Sequence, residues 1–221
     1  MYTDPTGMSV EPPTDYTINN KTGQVTQVGE TNNEPDRILK SNSRGEVKYK
    51  NNGEAKVEVD NIEKGILTDG MNLKTESNLV GVGGANQPTV EGVEKFAVQL
   101  TGIVNKEIGL GYFSKDDFPE ITHMTIGAYG NNEYGKTTDF GLAAFRKMSK
   151  TVEEFKSYIL RAKSHTHPWG KPSDVVNRFI PSPADKISRD RDLKGNPKLK
   201  FNILTMPEAG SGEKFPKKIP Y

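Results

Sequence analysis

Two of the three histidines in this chain, His165 and His167, stand two residues apart in Ser164-His165-Thr166-His167-Pro168, and Ser182-Pro183-Ala184-Asp185 follows. In an extended strand, residues i and i+2 point to the same side. Pro168 biases His167 away from helical geometry and toward extended backbone. The pair would then offer both imidazoles to one point. Neutral imidazole binds zinc at about 2.0–2.1 Å, and two imidazoles with one carboxylate leave a tetrahedral position for water. Zinc lowers the pKa of that water to about 7, which yields a nucleophile near neutral pH. The third ligand has two candidates, Asp185 and the sequence-closer Asp174. A hydroxyl such as Ser182 could stabilise the oxyanion formed when water attacks a carbonyl. A Glu outside the ligand set would serve as the base. An isolated His-x-His is common on exposed strands and binds nothing. The adjoining proline, the Ser-x-x-Asp and the concentration of histidine here set this one apart.

The rest of the composition narrows the chemistry. There is no cysteine among 221 residues, which excludes disulfides, Cys-ligated zinc and thiol catalysis. Lys and Arg total 30 against 29 Asp and Glu, a net charge of +1 that argues against a broad basic face for nucleic acid. The basic clusters at 186–200 and 214–218 are mixed with Asp or Pro and read as solvated surface. No apolar run approaches the roughly 20 residues that span a bilayer. The N-terminus lacks the charged-then-apolar order of a signal peptide.

Elements that would position the histidines follow from periodicity. Residues 1–15 contain the turn Asp4-Pro5-Thr6-Gly7 and the stiff Pro12-Pro13, and read as a connector. Residues 16–84 are polar and turn-rich, with partial alternation at 24–28 and 56–59 that predicts edge strands of hairpins over a thin core. Gly81-Val82-Gly83-Gly84 resembles a hinge; no Lys-Ser/Thr follows, so it is not a phosphate loop. From 85 to 221 the pattern changes. Val93, Phe96, Ala97, Leu100, Ile103 and Val104 predict an amphipathic helix over 89–105. Strands are expected at 107–113, 121–129 and 140–145. A second helix is expected from Thr151, whose spacing to Glu154 suits a capping box, with Val152, Phe155, Tyr158 and Ile159 as its stripe. Phe201-Asn202-Ile203-Leu204 predicts a last strand. The order is that of an α+β fold, a mixed sheet flanked by helices and preceded by a polar hairpin-rich extension.

His165-Thr166-His167-Pro168 with Ser182-Pro183-Ala184-Asp185 resembles the signature of the JAB/MPN (JAMM) metalloprotease family, which also carries an upstream Glu. The resemblance covers about 89–215. It implies zinc-dependent hydrolysis of amide bonds in a protein substrate, often isopeptide bonds to ubiquitin-like tails. It also implies His165, His167 and Asp185 as zinc ligands and Ser182 as oxyanion support. Glu107, in Glu107-Ile108-Gly109-Leu110 directly after the first helix, is most similar to the family's upstream Glu; Glu120 and Glu133 are the alternatives. The gap between His167 and Ser182 is longer than in typical members, which makes residues 169–180 an insert and keeps Asp174 as a rival ligand. Trp169 and Phe179 would line a groove there or belong to local core. Residues 4–16 are similar to the junction after the repeat core of Rhs/YD-repeat polymorphic toxins. That likeness implies a C-terminal tip of a larger, secreted or delivered protein, with an immunity protein as partner.

Two other readings compete. A metal-dependent nuclease would use His123 or His165 as base, but near-zero charge counts against it. A non-catalytic binding module would carry the His-x-His incidentally. A zinc deaminase lacks its Cys ligands.

Overall fold

The polar N-terminal stretch forms four short strands in the computed structural model, which describes residues 14–130, 132, 138–168, 179–207, 211–212 and 215–221. Most of the expected connector (1–13), the alternative base Glu133, Trp169 and the rival ligand Asp174 lie outside the described residues. The strands are β1 (Asp15–Ile18), β2 (Val25–Gln27), β3 (Asp36–Leu39) and β4 (Val57–Ile62), in the sheet order β2-β1-β3-β4. The two segments with partial alternation are the two edges, where one side chain in two can face water.

Helix α1 (Val90–Val104) follows, placed by signals on both sides. Thr89 is the N-cap and accepts the Gly92 N–H at 2.9 Å. The Glu63 carboxylate accepts from the Thr89 N–H and hydroxyl at 2.5 and 2.9 Å, an anion at the positive end of the helix. Gly92, a weak helix former, lets that carboxylate lie close over the first turn, since a Cβ would stand 2.3 Å from the Glu63 carboxyl carbon. Asn105 closes the helix in the left-handed region at φ 51°. Val93, Phe96, Ala97 and Leu100 are buried in one apolar cluster that also takes Ile18, Val25, Ile38 and Ile62 from the small sheet. The polar extension therefore shares its core with the rest of the chain.

The second sheet has six strands, namely β5 (Asn78–Gly81), β6 (Gly109–Lys115), β7 (His123–Ile126), β8 (Tyr158–Thr166), β9 (Lys200–Thr205) and β10 (Lys217–Pro220). Their order is β10-β9-β8-β6-β7-β5, with only the β8–β9 pair parallel. The fold is α+β. The edge strand β5 ends at Gly81, the first residue of the glycine run, so the hydrogen-bonded sheet takes in chain on both sides of that run.

Two expectations are corrected. Residues 140–145 are not a strand: helix α2 (Leu142–Thr151) starts after Gly141, which sits at φ 72°. The run Gly-Leu-Ala-Ala-Phe has no period of its own, and tertiary packing decides it. Phe145 is the buried side chain of α2, and its ring stacks on Phe113 at 3.7 Å between centroids. Thr151 therefore ends a helix rather than starting one. A 3₁₀ turn (Glu153–Ser157) follows, and Tyr158 and Ile159 enter β8 against β6. Phe155 and Tyr158 pack edge-on against His123 instead of forming a helical stripe.

Candidate metal centre

Topology brings the two ends of the motif together. The chain leaves β8 at its C-terminal end, passes through helix α3 (Pro183–Gly195) and returns in the parallel β9. A strand's C-terminal end next to a helix N-terminus is where open sheets with such crossovers carry their ligand sites. His165 is in β8, and the ladder continues through His167, whose N–H donates to the Leu204 carbonyl at 3.1 Å. The segment is extended, as Pro168 predicts, so both imidazoles face one side.

α3 supplies the carboxylate. Ser182 is its N-cap and Asp185 its third residue, in a reciprocal capping box. The Asp185 N–H donates to Ser182 Oγ at 3.2 Å, and the Ser182 N–H donates to Asp185 Oδ2 at 2.7 Å. The box fixes the Asp185 rotamer so that its oxygens turn to the histidines. His165 Nε2 lies 2.9 Å from His167 Nε2 and 3.3 Å from Asp185 Oδ1, and His167 Nε2 lies 3.7 Å from Asp185 Oδ2. Ligands about 2.05 Å from a small tetrahedral cation stand about 3.3 Å from one another, so the three groups are already at metal-binding spacing. His165 and His167 are 1% and 2% exposed. Burial works to raise the Asp185 carboxyl, but hydrogen bonds from both imidazoles and from Ser182 outweigh it and hold the group well below the usual carboxylate range. This buried His-His-Asp group can hold a metal ion.

Glu107 is on the same face. Gly109 pairs with His165, and the Ile108 carbonyl accepts the Thr166 N–H at 3.0 Å, so alternation puts Glu107 and Gly109 on the histidine side. One hydrogen bond holds its carboxylate and another its backbone. Thr138 Oγ1 donates to Oε2 at 2.7 Å, and Asn132 Nδ2 donates to the Glu107 carbonyl at 2.7 Å. Burial raises its pKa, while the neighbouring His165 and His167 oppose the shift. The segment 138–141 reaches Glu107 only because two strand-side positions lack a Cβ. A Cβ on Gly109 or Gly127 would stand 2.2 or 1.7 Å from the Asp139 carbonyl oxygen. The alternative Glu120 is exposed in the loop between β6 and β7. His123 pairs with Phe113, four residues along β6 from Gly109, which is about 13 Å at strand rise. It does not join the cluster.

Several supporting residues escape sequence reasoning. Behind the ligand strand, Thr166 Oγ1 accepts the Ile108 N–H at 2.8 Å and pairs with Thr101 of α1. Tyr221 packs edge-on to His165, with its backbone N–H on the Phe201 carbonyl. Burial and the nearby Asp185 carboxylate raise its phenol well above the ordinary value. Nothing in the local sequence marks either contact. Lys163 is two residues before His165, Asp192 is two helical turns after Asp185, and the two meet at 2.6 Å. The Lys163 side chain is 8% exposed. Asp192→Ala strands that ammonium and loosens α3 against β8. It should lower stability by about 3 kcal/mol in urea unfolding, the usual scale for a broken buried pair. An unchanged midpoint would mean that the pair does not hold the helix.

No known family model matches this chain, and no curated protein matches it in sequence.

Proposed function

We propose that the chain is a zinc-dependent peptidase or isopeptidase in which Glu107 moves the protons. The single observation that carries this reading is the convergence of His165, His167 and Asp185 at ligand spacing with a buried Glu107 on the same face of the sheet. Two imidazoles and one carboxylate suit zinc and leave a coordination position open, the pattern of catalytic rather than structural sites. A zinc ion there supplies Lewis acidity and makes water acidic enough to react near neutral pH.

The residues then divide the work. Glu107 takes the proton of the attacking water and passes it to the departing amine. Thr138 fixes one oxygen of that carboxylate by donating to it, which leaves the other to accept. Ser182 Oγ accepts the Asp185 N–H, which holds the hydroxyl beside the ligand carboxylate, from where it would donate to the oxyanion. The histidine strand is braced from behind by Thr166 and Thr101, which limits drift of the ligands. The likeness to JAB/MPN proteins and to the tips of Rhs-type toxins supports the same chemistry. In that reading the chain acts after delivery to a target cell, with an immunity protein as partner.

The test incubates the zinc-loaded chain with isopeptide-linked ubiquitin chains and with an unfolded protein. New amine ends are counted by mass spectrometry, with supercoiled plasmid treated in parallel. Amide cleavage that a zinc chelator stops is expected. Plasmid nicking without amide cleavage would replace this reading with the nuclease. Among the described residues no helix is long and apolar enough to cross a membrane.

A further inference from the structure

The face of the six-stranded sheet opposite the histidines is only partly covered. The strand register, with a bulge at Arg161, places Tyr112, Ile159, Ala162, Lys200, Asn202 and Lys218 on the α1 side. α1 covers one end of that face, where Thr101 meets Thr166, and reaches Tyr112 through Glu94. Past its first residue, Val90, no described helix covers the sheet, which forms the floor of a groove of about 520 Å³. That lies within the range of built ligand sites, about 300–1,000 Å³.

The lining has a definite chemistry. The floor is aliphatic, with Ile121, Ile159, Leu160 and Ala162, and the rim is cationic, with Arg161, Lys198, Lys200 and Lys218. Among the described residues no carboxylate lines it. Lys218 is committed to the buried Glu94 at 2.5 Å, and Tyr112 donates to the same oxygen at 2.7 Å. Arg161 donates to the Ser114 hydroxyl and to the carbonyls of Lys115 and Asp116, all neutral acceptors. Among the described residues no ion pair forms at Arg161, Lys198 or Lys200. Three uncompensated cations thus border one apolar trough. Such an arrangement attracts an anionic partner and then buries its apolar side chains.

We infer that this groove docks an acidic, leucine-type peptide segment of another protein, on the opposite face of the sheet from the candidate metal centre. A peptide fits better than single-stranded nucleic acid. Base stacking needs exposed aromatic faces, and among the described residues the only aromatic one lining the groove, Tyr112, is 2% exposed. The inference does not depend on what the metal centre does.

The test is fluorescence anisotropy with the full chain and a labelled ten-residue peptide of glutamates and leucines. A lysine–leucine peptide and an oligothymidylate of equal length are measured alongside. Saturable, salt-sensitive binding of the acidic peptide alone is expected. The double variant K198E/K200E, changed at two exposed positions, should bind at least about tenfold more weakly with an unchanged unfolding midpoint. His165→Ala should bind the peptide as the parent does, whatever becomes of the amide-cleavage reading. Absence of saturable binding, equal binding by the double variant, loss of binding in His165→Ala or tighter binding of the oligothymidylate would each overturn the assignment.

Discussion

Changing His165 to Ala should abolish stoichiometric zinc. The variant removes one of three protein ligands and leaves His167 Nε2 and the Asp185 carboxylate with no third partner to close the site. The loss should far exceed the roughly 10–100-fold in affinity that removal of an outer partner costs. A second signature follows by mass action. Zinc at about 100 times its Kd stabilises the folded chain by about 2.7 kcal/mol. For a domain of this size each kcal/mol is worth roughly 2–4 °C. The parent should therefore melt roughly 5–10 °C higher with zinc, by the same two relations, and His165→Ala should show no rise. His167→Ala should behave alike, since its Nε2 occupies the equivalent place. Both measurements, metal content and the zinc-dependent melting shift, read the site without requiring a substrate. A variant that keeps full zinc would show that the imidazoles are not ligands.

Glu107→Gln should keep the metal and lose the reaction. The amide has the size of the carboxyl, and its oxygen can still accept from Thr138 Oγ1. It cannot take a proton. A positioned general base is worth about 10²–10⁴-fold, and kcat should fall by that factor with KM little changed. Stability should hold or rise, because the buried Glu107 carries a desolvation penalty that a neutral amide avoids. Loss of zinc from this variant would instead make Glu107 a structural neighbour of the ligands. Full activity would remove it from the mechanism.

The site was more legible than the elements around it. His-x-His followed by proline fixes an extended pair on one face from local geometry; that Ser182-Pro183-Ala184-Asp185 starts a helix whose capping box sets the carboxylate came only with the fold, though the box too is local. Both depend on contacts within a few residues. α1 was legible from the helical spacing of Val93, Phe96, Ala97 and Leu100, while its Thr89 cap came with the fold. The region 140–160 was not. Its short apolar runs suit helix and strand equally, and Phe145 and Phe155 are placed by rings far away in sequence, at Phe113 and His123. The glycines at 109 and 127 carried a signal that only the fold decodes. They admit the Asp139 backbone, which brings Thr138 to Glu107. Asn132 and Tyr221 reach the site across long sequence separations, so no local pattern announces them. The polar 16–84 stretch showed its edge strands through alternation, while its shared core with α1 comes from burying few apolar residues against a neighbour.

The most direct test is X-ray absorption at the zinc edge on the purified, zinc-loaded chain. One equivalent of zinc is expected, with two imidazole nitrogens and oxygen neighbours at about 2.0–2.2 Å. A spectrum without imidazole scattering, or a chain that takes up no zinc at all, would contradict the proposed site.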